Sequence, residues 1–370
     1  MSDTPGASSA AAGGAGGAPQ LLLDLLAARG PSGYESAPAE VWMAAARPFA
    51  RVSSDVLGTP LALVEPKHGF DSAPPRLLVM GHIDEIGLIV THIDDEGYLW
   101  FREVGGWDAQ ILVGQRVVLD TRSGPVKGVV GKKPIHLLRD EERKKVAEIR
   151  DLHIDLGARD GEQARELVRI GDVAVIDADP VALPNGRLSS RALDNRLGSF
   201  VALEAARLVA EAGGGEWELA AVAAAQEEIT FGGSRTSAFS LEPDAAIVID
   251  VTHATDAPGV DVKEAGKHEL GSGVVISRGS TLNDRLFELL YETAQAEKIP
   301  FTVEASGRAT GTDADAVHLS RGGVPTALVS IPIRYMHSPV ELVQLGDVDA
   351  CVRLVGAVAL RLERGAGFLG

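Results

Sequence analysis

Four short, mostly apolar runs, each leading directly into polar residues, set the strongest limit on what this chain can fold into. They are Arg76-Leu77-Leu78-Val79-Met80, Leu219-Ala220-Ala221-Val222-Ala223-Ala224-Ala225, Ala245-Ala246-Ile247-Val248-Ile249 and Thr326-Ala327-Leu328-Val329-Ser330-Ile331. Such runs suit strands covered on both faces. Apolar residues at helical spacing fill 20–29, 36–46, 197–212, 283–297 and 348–364. Strand alternating with helix predicts an α/β sheet. Polar residues just past the carboxyl ends of such strands stand where open α/β sheets place their sites.

A different texture occupies residues 93–184. Short segments such as Tyr98-Leu99-Trp100-Phe101, Arg116-Val117-Val118-Leu119 and Val126-Lys127-Gly128-Val129-Val130 are separated by turns at Asp95-Glu96-Gly97 and Ser123-Gly124-Pro125. This reads as a small β barrel or sandwich inserted into the α/β domain. Within it, 140–149 carries opposite charges at helical spacing and reads as a solvated helical piece. Residues 1–18 are mostly small and polar, with neither a basic start nor an apolar core, and read as a disordered tail.

The polar residues that follow the runs carry the chemistry. His82 and Asp84 lie two apart in Gly81-His82-Ile83-Asp84-Glu85-Ile86-Gly87. A metal-bound imidazole usually donates its second N–H to a carboxylate, a part Asp84 is placed to play; a capped turn is the alternative. Asp194, in Arg191-Ala192-Leu193-Asp194-Asn195-Arg196, reads either as a helix N-cap or as a carboxylate shared by two metals. Glu227 and Glu228 are adjacent. Side by side they repel unless a cation compensates one of them, which leaves the other free to act as a base. Asp250 ends its run as a strand-end cap or a ligand, and His337 lies in Arg334-Tyr335-Met336-His337-Ser338. His253 and His318 compete as ligands, His253 being close to Asp250.

Taken together, these motifs resemble the di-metal aminopeptidases of clan MH, family forty-two, the tetrahedral (TET) and glutamyl-aminopeptidase-like enzymes. Ser32-Gly33-Tyr34-Glu35, Gln226-Glu227-Glu228 and Gly311-Thr312-Asp313-Ala314 add to the likeness, which spans about residues 20–364. Gly58-Thr59, where the family often has Gly-Asn, and the tail depart from it. The resemblance implies a phosphorylase/hydrolase-like α/β fold: a mixed sheet flanked by helices, formed by 19–92 and 185–370. The 93–184 insert becomes a PDZ-like dimerisation barrel. It also implies two divalent ions per chain, zinc or cobalt, with manganese open. His82 and Asp250 would hold one ion, Glu228 and His337 the other, and Asp194 would bridge them. Glu227 would be the general base toward an activated water, and Asp84 would orient His82. Short peptides would be the substrates, and the assembly a homo-oligomer from dimer to dodecamer.

A glycosidase could also use paired carboxylates, but its two carboxyls must stand about 5–9.5 Å apart, which suits adjacent glutamates poorly. A non-catalytic metal-binding assembly protein is a third reading, disfavoured by the presence of Glu227. The chain's 370 residues hold 35 Lys plus Arg against 52 Asp plus Glu, a net charge of −17, which argues against nucleic acid and an anionic membrane surface as partners. The single cysteine, Cys351, excludes an internal disulfide and a cysteine zinc site; its apolar setting reads as core, and a reducing cytoplasm fits.

Overall fold

The computed structural model describes residues 17–70 and 73–368. The four apolar runs become neighbouring parallel strands in the order Glu218–Ala224, Arg76–His82, Ala245–His253 and Thr326–Arg334. Antiparallel Pro60–Val64 and Arg51–Ser54 extend one edge of the sheet. Glu341–Gln344, Arg187–Ser190 and Val181–Leu183 extend the other, while Val274–Gly279 and Phe301–Ser306 branch from Thr326–Arg334, giving an eleven-stranded mixed sheet. Successive side chains of a strand point to opposite faces. Leu77 and Val79 accordingly pack under the helices Leu193–Glu211 and Leu345–Arg361, and Leu78 and Met80 under Gly232–Leu241 and Ala314–Val317.

One close approach sets the site. A Cβ on Gly81 would lie 2.4 Å from the carbonyl carbon of Gly198, so only glycine lets the helix Leu193–Glu211 rest on the end of the strand that carries His82. The helix start, with Asp194, is thereby brought to His82.

The inserted segment is a closed antiparallel barrel of Gly87–Ile93, Leu99–Val104, Arg116–Thr121, Gly124–Gly131, His153–Asp155 and Val173–Ile176. It has its own core, including Leu88, Leu99, Val117 and Ile154. Its strands start ahead of residue 93 and end before 184, because Val181–Leu183 pairs with Arg187–Ser190 of the large sheet. The charged piece at 140–149 is no continuous helix; only the 3-10 turns Glu142–Lys144 and Ile149–Asp151 form there. Ala147 and Ile149 of it pack against the barrel core while Val146 is exposed, and an isolated helix that short is marginal in water.

Cys351 is buried and free. The tail expected over 1–18 falls almost wholly outside the described residues; Ala18 itself is buried. Among the described residues, no helix is long and apolar enough to cross a membrane.

Candidate active site

His82, Asp194, Glu227, Glu228, Asp250 and His337 line one cavity of about 500 Å³ at the carboxyl ends of the parallel strands. His82 closes its strand, and Glu227 opens the short helix Glu227–Thr230 that follows Glu218–Ala224. Asp250 does not end its strand as expected. Pairing with Thr326–Arg334 continues to His253, while pairing with the His82 strand stops at Val248. Asp250 therefore stands where the two strands part, with its side chain at the cavity.

Asp194 is the pivot. One carboxylate oxygen lies 3.1 Å from His82 Nε2 and the other 3.3 Å from His337 Nε2. The N-cap reading of this residue fails because its neighbour caps the helix: Asn195 Oδ1 accepts from the Gly198 amide at 2.8 Å. His337 Nε2 is also 3.4 Å from Glu228, and His82 Nε2 is 3.7 Å from Glu227.

Further residues hold these in place. Asp84, fully buried, lies 3.3 Å from His82 Nδ1 and accepts the Ser32 hydroxyl and the backbone amides of Glu227 and Glu228 at 3.1 and 3.2 Å. One carboxylate thus ties the His82 turn to the glutamate pair. Glu341 accepts the backbone amides of Asp194 at 3.1 Å and His337 at 2.9 Å. Glu35 accepts the Gln226 amide at 3.0 Å and the Gly33 amide at 2.7 Å. From the barrel, the Gly106 carbonyl lies 2.8 Å from His337 Nδ1, leaving Nε2 to face Asp194 and Glu228. Glu341 and Gly106 carried no signal in the sequence: the bond from the Asp194 amide to Glu341 spans 147 residues and the Gly106–His337 contact 231. Ala192, Gln226, Phe231, Tyr335 and His337 all adopt left-handed backbone conformations around the cavity. Such strain is tolerated where surrounding contacts over-determine the chain, commonly at functional sites.

Of the competing histidines, His253 reaches the cavity rim, while the ring of His318 bonds the Ala314 carbonyl. Asp313 is buried and neither of its carboxylate oxygens finds a hydrogen bond.

Below the cavity, Glu85 pairs with both Arg191 and Arg196. Arg196 is fully buried and also donates to the carbonyls of Ile83, Leu25 and Ala28. Removing one partner of such a buried pair typically costs about 3–5 kcal/mol. Arg196→Met should lower the unfolding free energy by about that amount in a denaturant titration; a change within about 0.5 kcal/mol, ordinary for a surface residue, would contradict this role.

The electrostatics show an excess of buried acid. Burial, reinforced by Asp250, Asp313 and Glu228 against the pull of His82, raises Glu227 to about 10. Burial and Asp194 raise Glu228 to about 8. Burial holds Asp250 well above the usual carboxylate range. Contact with Asp194 raises His337 to about 9. Burial disfavours a charged His82, but Glu227, Asp194 and Asp84 outweigh it and hold the imidazole well above its ordinary value. Burial likewise works against an ionised Asp194, and the two histidines overcome it. Divalent cations fit this donor set: carboxylate oxygens and imidazole nitrogens, with no thiolate. His82, Glu227 and Asp250 place ligand atoms within 4.8 Å of one another, as do His82, Asp194 and Glu228.

These shifts carry a sign. Glu228 and His337 have folded values above their unfolded ones, so their contribution to the stability of the metal-free protein is present at low pH. It is lost as pH rises from the ordinary values of 4.5 and 6.5 toward about 8 and 9. A divalent ion held by Glu228 and His337 at neutral pH would have to displace these protons. Calorimetry in buffers of different ionisation enthalpy should show net proton release on metal addition, with affinity rising between pH 6 and 9 (roughly the range these groups span). A pH-independent affinity with no proton release would contradict the assignment.

A cavity of buried acids and imidazoles at the carboxyl ends of parallel strands, with a closed barrel set into the same chain, defines a mixed α/β protein with a candidate metal centre at the sheet edge. Residues 62–354 match the family described as M42 glutamyl aminopeptidase, and the chain belongs to that family. It is accordingly a hydrolase of peptide bonds, an aminopeptidase. It is 37% identical over 298 residues to the lysyl aminopeptidase of Pyrococcus furiosus, covering 80% of this chain and 84% of that one. The TET aminopeptidase of the marine sediment archaeon Thaumarchaeota archaeon SCGC AB-539-E09 superposes with a TM-score of 0.87 at 36% identity, covering 93% of this chain and 96% of that one. The TET1 peptidase of Pyrococcus horikoshii, which can assemble into a tetrahedron or a large octahedral shell, gives 0.81 at 32%, covering 93% and 99%.

Proposed function

We propose that this chain is a di-metal aminopeptidase that removes N-terminal residues from short peptides. His82 and Asp250 would hold one divalent ion, Glu228 and His337 the other, and Asp194 would be shared between the two. Zinc or cobalt is the expected metal, with manganese open. The observation that carries this reading is the placement of Asp194, whose two oxygens face two different histidines. When bound, such a pair of ions supplies the Lewis acidity that activates water and polarises a carbonyl. Asp84 fixes the ring of His82, and the Gly106 carbonyl that of His337. Glu227 takes a proton from the attacking water and returns it to the leaving amine.

Family membership favours the peptide bond over the glycosidic one. Release of free amino acids from the N-terminus of short peptides, abolished by a chelator and restored by metal, tests the reading. Cleavage that proceeds undiminished in chelator would overturn it.

The barrel is read as PDZ-like and as the dimerisation domain, and the chain as a cytoplasmic homo-oligomer. The shell formed by the Pyrococcus horikoshii relative supports assembly. Light scattering at micromolar concentration should give a mass at least twice the 38.7 kDa of one chain. A monomer there would refute it.

A further inference from the structure

We propose that the cleft between the loop 30–35 and the barrel is a second binding site, separate from the catalytic cavity, for a small organic ammonium ion with an apolar body. The cleft has a volume of about 560 Å³. Tyr34 and Glu35 line it from the sheet domain, and Asp120, Asp172 and Val173 from the barrel. Clefts of this size between two folded parts are where small-ligand sites commonly form.

Glu35 makes the cleft selective. The residue is 4% exposed, and the two amides it accepts, those of Gly33 and Gln226, both converge on Oε1. Among the described residues no hydrogen bond reaches Oε2, and the side chain lines the cleft. Asp84, also buried, is different: its carboxylate is filled by Ser32 and two backbone amides. The cation in the cleft wall, Arg29, is held by Asp120 at 2.8 Å and is not free for Glu35. Burial, reinforced by Asp84, raises Glu35 to about 7, as expected of a carboxylate short of donors and positive charge. An ammonium group supplies both. Ala28, Ala37 and Leu57 can cover an alkyl body, and the exposed ring of Tyr34 offers a face that attracts cations. An anion would meet the carboxylates of Glu35, Asp120 and Asp172 instead.

The same loop is tied to the catalytic residues. Ser32 donates its hydroxyl to Asp84 and its amide to the Glu85 carbonyl at 3.1 Å, and the Gly30 amide bonds the Glu85 carboxylate at 3.1 Å. Gln226, anchored on Glu35, has a left-handed backbone and immediately precedes Glu227. An ammonium ion on Oε2 keeps the carboxylate ionised. Bonds to an ionised acceptor are about twice as strong as neutral ones, so the cation also tightens the hold of Oε1 on the Gln226 amide. Occupancy of the cleft is thereby felt at the turn that carries Glu227 and Glu228.

Calorimetry on the metal-replete full chain at neutral pH compares hexylammonium with hexanol, which keeps the length and drops the charge. Hexylammonium should bind with a Kd of about 1 mM or tighter, and hexanol at least about tenfold more weakly. Glu35→Gln keeps an oxygen for the Gly33 and Gln226 amides but puts an amide nitrogen where Oε2 stood, so the preference for the cation should fall about tenfold. Ala37→Trp fills the cleft without touching any bond of Glu35 and should abolish binding. No binding by the wild type overturns the proposal. So does binding that survives Ala37→Trp, or a charge preference that Glu35→Gln leaves unchanged, since either places the amine elsewhere on an acidic surface. Hydrogen exchange reads the transmission: the amides of 226–228 should exchange more slowly in saturating hexylammonium, and not in Ala37→Trp. Unchanged exchange in the wild type overturns the coupling. None of these measurements involves turnover, so each outcome is independent of the di-metal reading.

Discussion

Glu227→Gln should lower kcat by about 10²–10⁴, the range typical for loss of a general base, while the fold and the bound metal stay as they are. Glutamine keeps the shape of the side chain and can still hydrogen-bond, but it cannot take up a proton at neutral pH. The proton moves only on the way to the transition state, so the loss belongs in kcat. Burial pushes Glu227 to about 10 in the metal-free site, so the carboxylate needs neighbouring positive charge to stay ionised and serve as a base. The geometry also leaves a rival role open to test, since Glu227 shares a three-residue cluster with His82 and Asp250. Metal analysis beside the kinetics separates the two. A variant that keeps about two equivalents of metal and loses kcat marks a base. One that loses metal in step with activity marks a ligand, the behaviour expected of Glu228→Gln, and a near-normal kcat excludes both roles.

Asp194→Asn should cost more, because in the proposed site this carboxylate would serve both ions at once. Removing a residue that merely supports a ligand typically weakens metal affinity by about 10–100-fold, and a carboxylate shared by two ions should exceed that. Metal content should fall from about two equivalents toward one or fewer after dialysis. The amide keeps the size of the side chain, so circular dichroism should be unchanged. Its backbone anchor to Glu341 does not depend on the carboxylate, so the helix start should stay in place. A wild-type enzyme fully active with a stable single equivalent, or an Asp194→Asn variant that retains two, would remove the bridging role.

Much of this was legible in the sequence, for a local reason. A strand buried on both faces must be apolar along its length, so Arg76–His82, Glu218–Ala224, Ala245–His253 and Thr326–Arg334 announce themselves. The residues just beyond or at the ends of such strands gather at one edge of a parallel sheet, which is why His82, Glu227, Glu228, Asp250 and His337 could be named as a set before their distances were known. Charge spacing alone misleads, as at 140–149, where opposite charges at helical spacing gave only 3-10 turns and just Ala147 and Ile149 pack against the barrel core.

What the tertiary structure decided were contacts between residues far apart in the chain. Asp194 could have been a cap or a bridge. The choice follows from Asn195 turning to Gly198, and from the Gly81–Gly198 approach that sets the helix against the His82 strand. Glu341 holds the Asp194 amide across 147 residues and the Gly106 carbonyl reaches His337 across 231; neither helical nor strand periodicity marks either of them. The sequence by itself determined which residues must be buried in strands and which chemistry waits at their ends, because that follows from local burial. Only the packed structure decided which carboxylate faces which histidine, because that depends on how glycine contacts and long-range hydrogen bonds set one element against another.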